Sequence, residues 1–166
     1  QFLQHVPAKT HIFDFGAGAG EIADVCLNKL GSATVHLEEP NQILMEGYCK
    51  RLRNHPHLKR GMTFHEKLED MKVPKELKNT VDLALGLHMI YHFKEKELLK
   101  ALFKMYEVLK VGGKIFLVYA DQETSTTGLA AQYYYERRGM LETKNELKSI
   151  LSARNRLLND GGVGVT

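Results

Sequence analysis

Apolar and polar residues recur along this chain with two different periods. Short apolar runs alternate with longer stretches in which apolar residues return every three or four positions. The runs read as buried strands and the stretches as amphipathic helices. Residues 11–15 form the first run. A helix is predicted over residues 20–30, with Ile22, Val25, Cys26 and Leu30 facing inward and Gly31 where a C-cap is expected. Residues 33–38 read as a second strand. Asn41 can cap the next helix, whose inner face would be Leu44, Met45, Tyr48 and Leu52. Pro56 and Gly61 punctuate a loop, and a short third strand covers residues 62–65. Residues 66–80 are polar, with Pro74 among them, and carry only a helix-and-loop pattern. Residues 81–87 are the fourth strand. A helix over about residues 95–110 carries Leu98, Leu99, Leu102, Met105, Tyr106 and Leu109, and Gly112-Gly113 ends it. Residues 114–119 are the fifth strand. Residues 124–138 suit a helix, and Thr143-Lys144-Asn145-Glu146 has the capping-box form that opens a last one to about Leu158.

Strand and helix alternate with no hairpin signal between strands. That predicts an α/β fold, a parallel sheet joined by right-handed crossovers. The 166 residues are enough for one domain with a real core, and 43% hydrophobic and 26% charged residues are ordinary for a soluble globular protein. A net charge of +3, from 23 basic and 20 acidic residues, is too mild to argue for nucleic acid. The basic cluster from Lys50 to Arg60 is broken by His and Pro and reads as a solvated helix end. Cys26 and Cys49 have no CxxC spacing and no neighbouring His pattern, so neither a metal site nor a disulfide framework is expected. The default setting is reducing and cytoplasmic. No apolar run approaches the ~20 residues of a membrane span. The chain opens at Gln1 without an initiator Met and shows no signal peptide.

The chemistry concentrates at Asp14-Phe15-Gly16-Ala17-Gly18-Ala19-Gly20-Glu21. An apolar strand ends in an acid, three glycines alternate, and a helix begins. Such a turn makes a nucleotide site at the C-terminal edge of a sheet. Dinucleotide enzymes favour GxGxxG, which would want glycine where Glu21 stands. The alternative is a glycine-rich turn with no ligand. Glu38 and Glu39 end the second strand, about twenty residues past the loop, where an acid can reach ribose hydroxyls. Alternation puts the two on opposite faces, and Glu39 is favoured because it directly precedes Pro40. The alternative is a surface acid before a turn. His88, Tyr91, His92 and Phe93 leave the fourth strand at the edge beside the first. His92 is expected to pack under the loop.

The segments HIFDFGAGAGEI, HLEEPN, VDLALGLHMIYHF and YEVLKVGGKIFLVYAD together resemble class I S-adenosylmethionine-dependent methyltransferases across nearly the whole chain. LKVGGK is similar to the LKPGG turn of that class, with Val111 in place of Pro. Within the class, the histamine N-methyltransferases are the most similar. The resemblance implies a Rossmann-like doubly wound sheet of order 3-2-1-4-5, S-adenosylmethionine as cofactor, and methyl transfer to a small amine or imidazole. It implies cofactor contacts from Asp14, facing the methionyl amino group or capping the loop amides, and from Gly16, Ala17, Gly18 and Gly20. Glu39 and Pro40 would lie at the ribose, Lys67 and Leu68 at the adenine, and Leu87 and His88 nearby. His88 and Tyr91 would orient the acceptor, with no metal and no strong general base.

The sequence also departs from the class. His88 stands where histamine N-methyltransferases have a substrate-side Gln. Their upstream helical segment has no counterpart, nor do the sixth and seventh strands. Residues 1–166 are therefore expected to be a single S-adenosylmethionine-binding domain truncated at both ends, monomeric, with a small-molecule acceptor and no nucleic-acid or membrane partner. Two other readings stay open: a truncated cofactor-binding protein without turnover, and a nicotinamide-dependent oxidoreductase.

Overall fold

The computed structural model describes residues 10–27 and 32–118. The chain falls into two units, residues 1–90 with 97–119 and residues 91–96 with 120–166, and the sheet lies in the first. The main elements run β1 (Thr10–Phe15), α1 (Glu21–Leu27), β2 (Ala33–Glu38), α2 (Gln42–Asn54), β3 (Leu58–Phe64), β4 (Val81–Leu87), α3 (Glu95–Val108) and β5 (Leu109–Val118). The sheet is parallel throughout, in the order β3-β2-β1-β4-β5. This is the α/β, doubly wound 3-2-1-4-5 arrangement expected. The chain winds outward from β1 to β3, then returns to β4, so the order reverses beside β1. Ligands of open parallel sheets bind at that reversal, beyond the strand C-termini.

Register brings those C-termini level. Phe15 lies opposite both Glu38 and Gly86, Glu38 opposite Phe64, and Gly86 opposite Leu117. Alternate residues take alternate faces. Ile12, Val35, Leu37, Leu83 and Leu85 share one buried cluster with Ala23 and Leu27 of α1 and Met45, Tyr48 and Leu52 of α2. Burying each such large side chain is worth about 1.5–3 kcal/mol. On the other face the Phe13 ring stacks on Phe15 at 4.0 Å and on Phe64 at 5.5 Å. α3 covers this second face: Met105 lies 3.3 Å from where a Cβ on Gly86 would sit. Asn41 caps α2, its side-chain oxygen accepting from the N–H of Ile43 and Leu44 at 3.0 and 3.3 Å.

Most expected inner positions hold: Met45, Tyr48 and Leu52 of α2 and Leu98 and Met105 of α3 are buried, and Leu99 and Leu102 half-buried. Ile22 and Leu44 are exposed, while Ala23, Leu27 and Cys49 are buried. In α3, Ala101 and Val108 are buried and Tyr106 is exposed. The side chains of Val25 and Cys26, and residues 28–31, lie outside the description, as do Tyr119 and the helices expected over 124–138 and 143–158. β5 already pairs at Leu109, before Gly112-Gly113, and its register shifts between Val81 and Leu83 on β4. Residues 66–80 form a turn closed on the Lys67 and Leu68 carbonyls and a 3-10 turn at Lys75–Leu77, with Met71 and Leu77 buried.

β3 begins earlier than expected, at Leu58, and contains Gly61 instead of starting after it. Its register with β2 shifts opposite His36. The His36 ring fills this bulge, and its Nδ1 accepts from the Met62 N–H at 3.1 Å. Burial, aided by the neighbouring His11, lowers the His36 pKa from 6.5 to about 4, which keeps the ring an acceptor. The folded state then binds fewer protons than the unfolded one between those values. This contribution to stability is complete above pH 6.5 and is lost as pH falls toward 4.

Gly61 leaves room for the ring: a Cβ there would sit 2.6 Å from Nδ1. Gly61→Ala should therefore destabilise the protein by about 1–3 kcal/mol through overpacking, measured by urea denaturation. Wild-type stability in that variant would mean that the bulge does not pin the ring.

Candidate functional site

The turn from β1 into α1 is built on three glycines with positive φ: Gly16 at 60°, Gly18 at 56° and Gly20 at 77°. A side chain is disfavoured at all three on backbone grounds, but their surroundings differ. A Cβ on Gly16 would lie 2.7 Å from the Met89 Cβ, and one on Gly20 would lie 2.2 Å from the Tyr48 ring. Those two glycines answer to packing. Around Gly18 nothing among the described residues comes within 4 Å of the Cβ position. Gly18 is thus where a ligand can approach the backbone.

The loop amides are held by β2 and the residue after it. Gly16 N–H donates to the Glu38 carboxyl at 2.9 Å, and Ala17 N–H to the Glu38 main-chain carbonyl at 2.9 Å. Gly18 N–H donates to one oxygen of Glu39 at 2.9 Å, and the other oxygen accepts from Asn41 N–H at 2.8 Å. The opposite faces expected for the two glutamates keep neither carboxyl from the loop amides. β2 ends at Glu38, Glu39 lies beyond the pleat, and both carboxyls reach the loop.

Asp14 is buried on the α1/α2 face, and among the described residues its oxygens make no hydrogen bond of full geometry. Burial raises its pKa from 3.8 to about 7; the Tyr48 hydroxyl pulls the other way, and the charge of Glu39 adds to the rise. Glu38 is raised from 4.5 to about 8 by burial, opposed by its bond from Gly16, with Glu39, Glu69 and Asp14 adding to the rise. Among the described residues, a buried carboxyl with only the Tyr48 hydroxyl to offset its burial, beside two more acids, fits a cation. The loop also suits an anion poorly, because carboxyls already occupy the Gly16 and Gly18 amides.

At the end of β4, Leu87 is buried and His88 takes φ 58°, an uncommon conformation for a residue with a side chain. The His88 N–H donates to the Val118 carbonyl at 2.8 Å. The next residue, Met89, packs on Gly16, so the β4 exit and the glycine loop are in direct contact. The expected positions Asp14, Gly16, Ala17, Gly18, Gly20, Glu39, Leu87 and His88 thus gather at one stretch of the sheet edge. Pro40 follows and is exposed. Lys67 is exposed and Leu68 buried, both in the turn after β3. The Tyr91 side chain lies outside the description, and His92, expected to be packed, is exposed. Sequence reasoning missed the two packing partners, Tyr48 and Met89. Tyr48 carried the signal of an inner helix position, but nothing in its spacing pointed to Gly20.

These differences separate the glycines by experiment. Gly18→Ala should cost about 1–2 kcal/mol for the left-handed backbone and leave the fold intact, while blocking ligand approach. Gly20→Ala should destabilise more, through Tyr48. Calorimetric titration with S-adenosylmethionine and thermal melting of both variants read this out; full affinity in Gly18→Ala would remove the loop from the binding site. The raised Asp14 pKa has a defined sign. Between about pH 4 and 7 the folded state binds more protons than the unfolded one, so this contribution is present at low pH and is lost as pH rises. Asp14→Asn should be more stable than wild type at pH 8 and equal to it near pH 3.5, by urea denaturation at both values.

Comparisons with known proteins agree with this geometry. The family described as Methyltransferase domain matches residues 12–113, well over half of the chain. No curated protein gives a significant match. A SAM-dependent methyltransferase from Leishmania major is 25% identical at TM-score 0.58, with 70% of this chain and 45% of that chain covered. A Methanococcus maripaludis chain assigned as an S-adenosyl-L-methionine-dependent methyltransferase is 13% identical at TM-score 0.61, covering 99% and 74%. Phosphoethanolamine N-methyltransferase 1 of Haemonchus contortus, in complex with phosphoethanolamine and S-adenosylhomocysteine, is 18% identical at TM-score 0.57, covering 75% and 26%. At these lower identities the likeness shows the fold. The chain spans less than half of the Leishmania protein. The match over residues 12–113 shows that the chain belongs to the methyltransferase domain family.

Proposed function

We propose that this chain binds S-adenosylmethionine at the glycine loop and serves methyl transfer to a small acceptor, an amine or imidazole nitrogen, as the histamine N-methyltransferases do. The observation that carries the reading is the buried carboxyl of Asp14 behind a loop whose amides are already taken by acids. A pyrophosphate would meet Glu38 and Glu39 there, which disfavours a nicotinamide cofactor. A ligand with an ammonium and a sulfonium favours the ionised form of the Asp14 carboxyl and is attracted to it.

In this reading Asp14 faces the amino group of the methionine tail, and the backbone at Gly18 lies against the ligand. Glu39 accepts from the ribose hydroxyls, with Pro40 turning the chain away. Lys67 and Leu68 border the adenine. Leu87 and His88 close the β4 side, and His88 and Tyr91 orient the acceptor. S-adenosylmethionine supplies a methyl group made electrophilic by its sulfonium. The residues of the chain hold a neutral nitrogen in line with that methyl and exclude water, so position does most of the work and no strong general base is required. The reading carries with it a monomeric, cytoplasmic protein whose acceptor is neither nucleic acid nor membrane. Among the described residues no helix is long and apolar enough to cross a membrane.

Titration calorimetry with S-adenosylmethionine, S-adenosylhomocysteine and NADH tests the cofactor, and an amine panel tests turnover. Glu39→Ala should weaken S-adenosylmethionine by about 1.5–3 kcal/mol. His88→Ala and Tyr91→Phe should keep S-adenosylhomocysteine affinity and lower methyl transfer. Unchanged turnover in both would end their acceptor role. Tight cofactor binding with no transfer across the panel would select a binding protein without turnover.

A further inference from the structure

We propose that Glu38 is the positioning residue of the glycine loop, gripping two consecutive loop amides and so setting the loop's shape for the cofactor without touching the cofactor itself. The inference rests on the reading of this loop as the cofactor site, and it gives Glu38 a different role from Glu39. Glu38 is 2% exposed, at the last position of β2 and level with Phe15. Its carboxyl takes the Gly16 N–H and its main-chain carbonyl the Ala17 N–H, each at 2.9 Å. No other described residue bonds to two successive amides of this loop with both its side chain and its backbone. Glu39, half-buried, takes the Gly18 N–H with one oxygen and the Asn41 N–H with the other.

The grip makes physical sense at Gly16. Its part-buried N–H takes the carboxyl as acceptor, and a buried N–H without an acceptor costs about 1–3 kcal/mol in general. The bond needs only an oxygen lone pair. A protonated carboxyl supplies one without placing charge beside Asp14 on β1, Glu39 on the following turn and Glu69 in the turn after β3. Its raised pKa of about 8 agrees with a group that does this work while neutral.

Two substitutions separate gripping from contact. Glu38→Gln keeps the acceptor and the volume and cannot ionise. Glu38→Met fills similar space and offers no acceptor. Three readouts are the hydrogen-exchange rate of the Gly16 amide in the free protein, S-adenosylmethionine affinity by calorimetry, and urea stability from pH 5 to 8.5. In Glu38→Gln, Gly16 protection should stay and affinity should remain within about threefold of wild type. The stability that wild type loses as pH rises from 5 to 8.5 should be visibly smaller in this variant, because the folded-state pKa lies above the unfolded one and Gln removes that titration. In Glu38→Met, Gly16 exchange should accelerate at least tenfold and affinity should fall at least tenfold.

Wild-type exchange and affinity in Glu38→Met would overturn the proposal. So would a Glu38→Gln variant that keeps Gly16 protected yet loses the cofactor, since the carboxyl would then be a ligand contact. If wild type itself does not bind S-adenosylmethionine, the cofactor reading fails, and the exchange rates of the two variants still decide the grip. If Glu38→Met does not fold, Glu38→Gln decides alone: protection with a flattened pH profile supports the grip, and lost protection overturns it.

Discussion

A strand that turns into a helix within a few residues leaves a series of N–H groups with no ladder to join, and each needs an acceptor. In this protein the acceptors come from the neighbouring strand and the residue after it. Glu38 and Glu39 take Gly16, Ala17 and Gly18 between them. That arrangement depends on register, because Glu38 must lie level with Phe15. A slip of β2 by one residue would withdraw the carboxyls and move Val35 and Leu37 to the wrong face. The site and the core are therefore set by the same alignment.

The same acids make the site electrostatically uneasy by itself. Asp14 and Glu38 are both raised well above ordinary carboxyl values, mainly by burial. A fold chosen for stability alone would place apolar residues there. Groups held against their preference at a sheet edge are the mark of a place kept for a ligand. The glycine loop adds to this, since Met89 and Tyr48 pack on Gly16 and Gly20 while nothing among the described residues packs on Gly18.

Much of the architecture was legible in the sequence because it follows from period and punctuation. The strand over residues 81–87, the Asn41 cap and the alternation that implies parallel pairing all depend on local pattern. The glycine loop was legible because alternating glycines after an acid-ended strand have few other uses. What escaped depends on tertiary approach. Ala23 is buried and Ile22 exposed, a difference of one position on a seven-residue helix that its hydropathy pattern does not record. The pairings of Gly16 with Met89 and Gly20 with Tyr48 join residues far apart in the chain. The roles of Glu38 and Glu39 could not be separated by alternation because the strand ends between them. Gly61 looked like loop punctuation, yet it makes room for the His36 ring inside a strand.

That bulge has a consequence beyond the fold of a single molecule. Among the described residues β3 is an edge strand, and a straight, apolar edge invites pairing with the edge of another copy. Here the strand is kinked opposite His36, and Lys59 and Arg60 stand exposed just before the kink. A second strand docking alongside would meet two positive charges and then a break in the ladder. The residues that accommodate one histidine thus also protect the protein against sheet-to-sheet aggregation.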